Sequence, residues 1–164
     1  AQVLTASGCG MPIRGYGTLL SEDPAYPDKA RRVSELTRDI AEIVADEWKA
    51  VPGEVPPLQS VRRIAFQSSC SLQHGEKLNG VVEKLLRRAG FRLVQVAYPF
   101  MCCGAAGAYL LLQRERKLET LLERHPAEIA TANIGCLTHL AAAAPVPVRH
   151  WIELLDEVLP PVRA

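Results

Sequence analysis

Apolar and polar positions alternate in two rhythms along this 164-residue chain. Short β-prone runs at 3–6, 61–67, 91–97, 129–132 and 146–149 predict strands. Between them, apolar residues recur at three-to-four spacing. One long amphipathic helix is expected over 29–48, with Val33, Leu36, Ile40, Ile43, Val44 and Trp48 inward and Asp28 as its cap. A second helix is expected over 76–89, stopped by Gly90, and a third over 108–124, with leucines on one side and a charged face, closed by His125-Pro126. A small helix over 140–143 and a last one over 151–159 complete the pattern. Ser7-Gly8-Cys9-Gly10 reads as a tight glycine turn, followed by a short helix or loop over 16–20 and a loop over 21–27.

Strand and helix alternate, which predicts an α/β fold: a parallel β-sheet flanked by helices on both faces. Pro52, Gly53, Pro56 and Pro57 interrupt every periodicity over 51–60, so that segment is expected to be a linker between a unit at 1–50 and another at 61–164. In parallel sheets the loops leaving the carboxyl ends of the strands share one rim, where ligands bind.

Composition narrows the function classes. A chain 48% hydrophobic and 23% charged is globular, and 19 basic against 18 acidic residues leave no basic tract for nucleic acid. The most apolar stretch, 137–148, is interrupted by His139, Pro145 and Pro147, and nothing at the start resembles a signal peptide. A soluble, cytoplasmic chain is expected, and the start at Ala1 suggests a fragment or a processed product. Five cysteines, an odd number in a chain without export features, favour thiols with chemical roles over a disulfide framework.

Those cysteines carry the candidate chemistry. Cys102-Cys103 opens into the small-residue turn Gly104-Ala105-Ala106-Gly107, and Cys70 and Cys136 flank the pair across the nearly equal spacers 71–101 and 104–135. Cys70, Cys102, Cys103 and Cys136 each follow a predicted strand and are expected on loops at its carboxyl end, converging on the shared rim. Four thiolates with backbone amides nearby suit an iron–sulfur cluster or zinc. Cysteines serving as small core hydrophobes, or as a redox-active dithiol, remain open alternatives at this point. His139, three residues after Cys136, is a candidate further ligand. His74 and Gly104 are candidates for supporting the ligands, His74 by hydrogen bonding and Gly104 by close backbone approach. His150 reads as structural. A faint echo between Thr5-Ala6-Ser7-Gly8-Cys9 and Thr131-Ala132-Asn133-Ile134-Gly135-Cys136 makes Cys9 the last cysteine of a preceding, truncated unit.

The order Cys70, Cys102-Cys103-Gly104, Cys136 resembles the CCG (cysteine-rich) domain family, whose Rossmann-like members occur in heterodisulfide reductases and in the iron–sulfur subunits of glycolate and lactate oxidation systems. CSLQHGEKLNG, CCGAAGAYLLLQ, TANIGCLTHL and VRHWIELLD look most like the C-terminal part of glycolate oxidase iron–sulfur subunits. The resemblance implies electron transfer from flavoprotein subunits that oxidise glycolate towards a membrane acceptor, with no substrate chemistry in this chain. It implies a 4Fe-4S cluster on the four cysteines, an N-terminal ferredoxin-like part outside the chain, and peripheral membrane association through the complex. Zinc, or a metal-free docking module, is the alternative. The chain departs from the family where Cys-x-x-Cys is expected, since Cys136-Leu137-Thr138-His139 puts imidazole in place of the last thiolate. Cys9, without partners, is expected to be a free thiol.

Overall fold

In the central strand β3 (Arg63–Gln67), Ile64 and Phe66 point to one side and Ala65 to the other, and all three are buried. A strand apolar on both faces must lie inside a sheet covered on both sides. A computed structural model, which describes residues 1–50, 61–107 and 113–159, places it there. The sheet runs β4 (Arg92–Leu93), β3, β5 (Glu128–Thr131), β6 (Val148–His150), with every pair parallel. The α/β class is therefore as the sequence predicts.

Two cores flank this sheet. Ile64, Phe66 and Ala130 face a cluster closed by Trp48 of α4 (Ile40–Ala50), Val82, Leu85 and Leu86 of α5 (Val81–Arg88), and Trp151, Leu154 and Leu155 of α8 (Trp151–Val158). Ala65 and Ile129 face a smaller cluster made with Leu118 and Leu121 of α6 (Arg114–Leu122), Leu140 of α7 (Ile134–Ala141), and Cys103 and Cys136. The chain leaves β3 towards β4 and then returns past β3 to β5. The strand order thus reverses between β3 and β5, the place where open parallel sheets bind ligands.

Several boundaries depart from the sequence reading. The run at 3–6 is the short strand β1 (Gln2–Leu4), which is largely exposed and, among the described residues, pairs only with β2 (Thr37–Asp39). That pairing breaks the helix expected over 29–48 into α3 (Pro27–Leu36) and α4. Thr37 Oγ1 donates to Val33 O as α3 ends, and Asp39 Oδ1 accepts from the Ala41 N–H as α4 begins. Asp28 lies in the first turn of α3 and does not cap it, because the position before the helix is Tyr26. Ser7-Gly8-Cys9-Gly10 is not a turn but the start of α1 (Ser7–Arg14), followed by α2 (Tyr16–Leu19).

Between β3 and α5 lies a single π-helical turn, Ser71–Gly75, and α5 starts only at Val81 because Lys77 and Gly80 both have positive φ. The expected helix start at 108 and the linker at 51–60 lie outside the described residues. The His150 ring accepts from the Ile152 N–H and Glu153 reaches back to the His150 N–H, so this histidine is structural as expected.

Candidate metal centre at the sheet's carboxyl rim

Parallel strands deliver the cysteines to one end of the sheet. Cys70 follows β3 and Cys136 follows β5, the two strands between which the order reverses, and the Cys102-Cys103 pair follows β4. Beneath them, Gln67 and Thr131 close the ends of β3 and β5 with a buried hydrogen bond from Thr131 Oγ1 to Gln67 Oε1 of 2.6 Å. Cys70 precedes the π-helical turn and Cys102-Cys103 lies on a loop, as expected. Cys136, expected on a loop, lies in the first turn of α7, where the Asn133 side chain accepts from the Gly135 and Cys136 N–H groups.

The sulfurs are neighbours. Cys103 and Cys136 are buried with Sγ atoms 3.0 Å apart, sharing a hydrogen. That bond pulls Cys103 down to about 6 against the opposing effect of burial, with the Ala105 N–H assisting from 3.4 Å. It pushes Cys136, itself desolvated, well above the ordinary thiol range.

Cys102 is raised by burial and by the adjacent Cys103 and Cys70 sulfurs, against the Gly104 N–H, which donates to it at 3.4 Å. Gly104 has φ of 90°, a left-handed conformation that only glycine adopts without strain, and this turns successive N–H groups towards sulfur. Cys102, Cys103 and Cys136 with two inward N–H donors supply soft, anion-favouring groups of the kind a thiolate-ligated centre uses, and Cys70 acts on the Cys102 thiol. Among the described residues, no three His, Cys, Asp or Glu side chains form a ready shell for a single metal ion.

The remaining candidates separate. Cys70 is exposed and lines a cleft of about 440 Å³ with Met11, Ser71 and His74. His74 is exposed, with its ring 6.4 Å from that of Phe100. His139 lines a different cleft with Arg114, Glu115 and Gly135; burial and Arg114 lower its pKa, Glu115 raises it, and no thiol is among these influences. Cys9 is exposed on α1 and is not among the groups acting on the other sulfurs.

Residues 1–50 nevertheless help build the rim. Ser7 Oγ lies 2.9 Å from Ser69 Oγ and 2.7 Å from Ser71 Oγ, and Asn133 Nδ2 donates to Ser71 Oγ at 3.3 Å. Arg14 pairs with Glu42 and, at 2.7 Å, with the buried Glu76.

Sequence patterning does not single out Lys117, yet it is fully buried beside this site, and among the described residues its Nζ has no hydrogen-bond partner. The available signal was its position one helical turn before Leu121, on the inward face of α6.

Residues 64–141 match the cysteine-rich domain called CCG. The chain is 45% identical to the glycolate oxidase iron–sulfur subunit of Escherichia coli, over 94% of this chain and 39% of that protein. It is 24% identical to a probable glycolate oxidase iron–sulfur subunit of Bacillus subtilis, over 85% of this chain and 33% of that one. A lactate utilization protein A of Bacillus licheniformis is 23% identical, over 94% of this chain and 69% of its own length. The chain thus spans well under half of the two glycolate oxidase relatives. No described helix is long and apolar enough to cross a membrane.

Proposed function

Because residues 64–141 match the cysteine-rich CCG domain, we propose that this chain is the electron-transfer part of a 2-hydroxy-acid oxidation complex and that Cys70, Cys102, Cys103 and Cys136 hold one iron–sulfur cluster. The observation that supports this reading is the 3.0 Å contact between the Cys103 and Cys136 sulfurs, with N–H donors on Cys102 and Cys103 and Cys70 acting on the Cys102 thiol. The names of the similar proteins supply the chemistry: iron–sulfur subunits acting in glycolate oxidation. A bound cluster would supply reversible one-electron storage.

The chain's own residues do the rest. Asn133 fixes the turn carrying Cys136, Gly104 aims backbone N–H groups at sulfur, and the apolar face of α6 and α7 keeps water from Cys103. We assign the cluster as 4Fe-4S and place His139 outside the ligand set, since it lines a cleft with Arg114 and Glu115 that is separate from the one Cys70 lines. Electrons arrive from a flavoprotein partner and leave towards a membrane acceptor, with the complex seated peripherally on the cytoplasmic face. Residues 1–50 are read as the end of a preceding CCG unit and the chain from 61 onward as a second, supported by β1 pairing, among the described residues, with β2 alone while β3–β6 form their own sheet. Under that reading an N-terminal ferredoxin-like part precedes both.

Anaerobic reconstitution with iron and sulfide, followed by metal analysis and EPR, tests this. An iron–sulfur chromophore with a reducible EPR signal is expected. Stoichiometric zinc with no iron uptake contradicts the reading and would make the site structural, an alternative that nothing in the fold or the comparisons favours.

A further inference from the structure

Lys117 stands where an ordinary core would place an aliphatic residue. Helix α6 packs Leu118 and Leu121 into the same cluster as Cys103 and Cys136, and Lys117, one turn before Leu121, enters that interior with no exposed surface. Among the described residues its Nζ finds no acceptor. A lone ammonium in apolar surroundings is destabilising unless an anion is close. Burial lowers the Lys117 pKa, and the groups opposing that loss of charge are the sulfurs of Cys103, Cys102 and Cys136, in that order of strength. Cys103 and Cys136 share the cluster that α6 packs into, so, among the described residues, the only charge this cluster offers the lysine is that of the sulfur site.

We propose that Lys117 is a positioning residue whose ammonium is the built-in counter-charge of the anionic sulfur centre and sets how readily that centre accepts an electron. The inference rests on the iron–sulfur reading above. Adding one electron to a thiolate-bound cluster increases its negative charge, and a fixed cation in a water-poor interior favours the reduced form more than the oxidised one. An exposed lysine would be screened by solvent and salt, whereas one buried on α6 is not. The arrangement also has a cost: without the anion, the ammonium is a destabilising group inside the fold.

The test uses the protein at its natural length, purified anaerobically, as wild type and as Lys117→Met, with the cluster titrated by dithionite under EPR. The variant is expected to bind as much iron as wild type and to show a roughly tenfold smaller equilibrium constant for reduction, about 59 mV lower for a one-electron couple. An unchanged midpoint in a variant carrying wild-type iron overturns the inference. A variant that loads no cluster is compared with wild type as apoprotein by the rate of iodoacetamide alkylation at neutral pH. Slower alkylation in Lys117→Met supports the counter-charge, and an equal rate overturns it. If wild type itself forms no cluster, the iron–sulfur reading fails, and the same alkylation comparison still decides where the lysine acts.

Discussion

The two faces of the β4-β3-β5-β6 sheet come from the same strands yet are built to opposite specifications. On one face Ile64, Phe66, Leu86, Trp151, Leu154 and Leu155 form an aliphatic and aromatic core with α4, α5 and α8 packed over it. On the other, the core is smaller and shared with Cys103 and Cys136, and a fully buried lysine lies within it. The first face accounts for most of the apolar burial. The second accommodates groups that an optimised core excludes, as expected where a fold trades stability for a functional site.

The comparison can be broken most forcefully on the dry face. Leu154→Ala leaves a cavity under β3 and β5 and is expected to cost roughly 2–5 kcal/mol, read by chemical denaturation and accompanied by loss of iron binding, because the rim depends on that sheet. On the thiol face the sign reverses. In the apoprotein, Lys117→Met exchanges a buried charge for an apolar chain, and the thiols it faced can keep their protons in response, so stability is expected to rise by roughly 1–4 kcal/mol, visible as a higher denaturant midpoint. A destabilised Lys117→Met apoprotein would mean that the two faces are not built differently.

Smaller effects probe the seam between residues 1–50 and the rim. Ser7→Ala removes one member of a hydroxyl trio but leaves Ser69 and Ser71 bonded to each other at 3.2 Å, so a loss of about 1 kcal/mol is expected in the same denaturation assay. The smallest effect is a pH slope at Glu76. Burial holds this carboxyl above the ordinary range, Arg14 partly offsets that, and Asp39 and Glu42 add to it. The native state therefore keeps the proton to higher pH than the unfolded chain does, and ionisation reduces stability as pH rises from the ordinary carboxylate range through the raised one. Glu76→Gln removes this ionisation, so its stability relative to wild type is expected to be greater at about pH 7 than at about pH 4. A flat or inverted difference contradicts the assignment.

Which features were legible in the sequence follows from how local their causes are. β3, β5, α5 and α8 each carry their own apolar period, and the rule that parallel strands share a carboxyl rim was enough to anticipate that Cys103 and Cys136 lie side by side. The helix expected over 29–48 failed because Thr37–Asp39 is claimed by β1, a pairing between distant segments that periodicity cannot register. Ser7-Gly8-Cys9-Gly10 looked like a turn because of its glycines. It is helical because Ser7 is held by Ser69 and Ser71, and because Gly10 lies so close to the Glu76 carboxylate that a Cβ there would meet it at 2.5 Å. Lys117 was hidden by its charge, which in a surface-patterned helix reads as solvent-facing.

The central claim, that the four converging thiols and not His139 hold the cluster, is tested most directly by the EPR signal and iron content of reconstituted Cys136→Ser beside His139→Ala. The account predicts that Cys136→Ser stays folded by circular dichroism but loses the wild-type signal and most of its iron, while His139→Ala keeps both. A Cys136→Ser protein with the wild-type signal, or a His139→Ala protein without it, would contradict the ligand set.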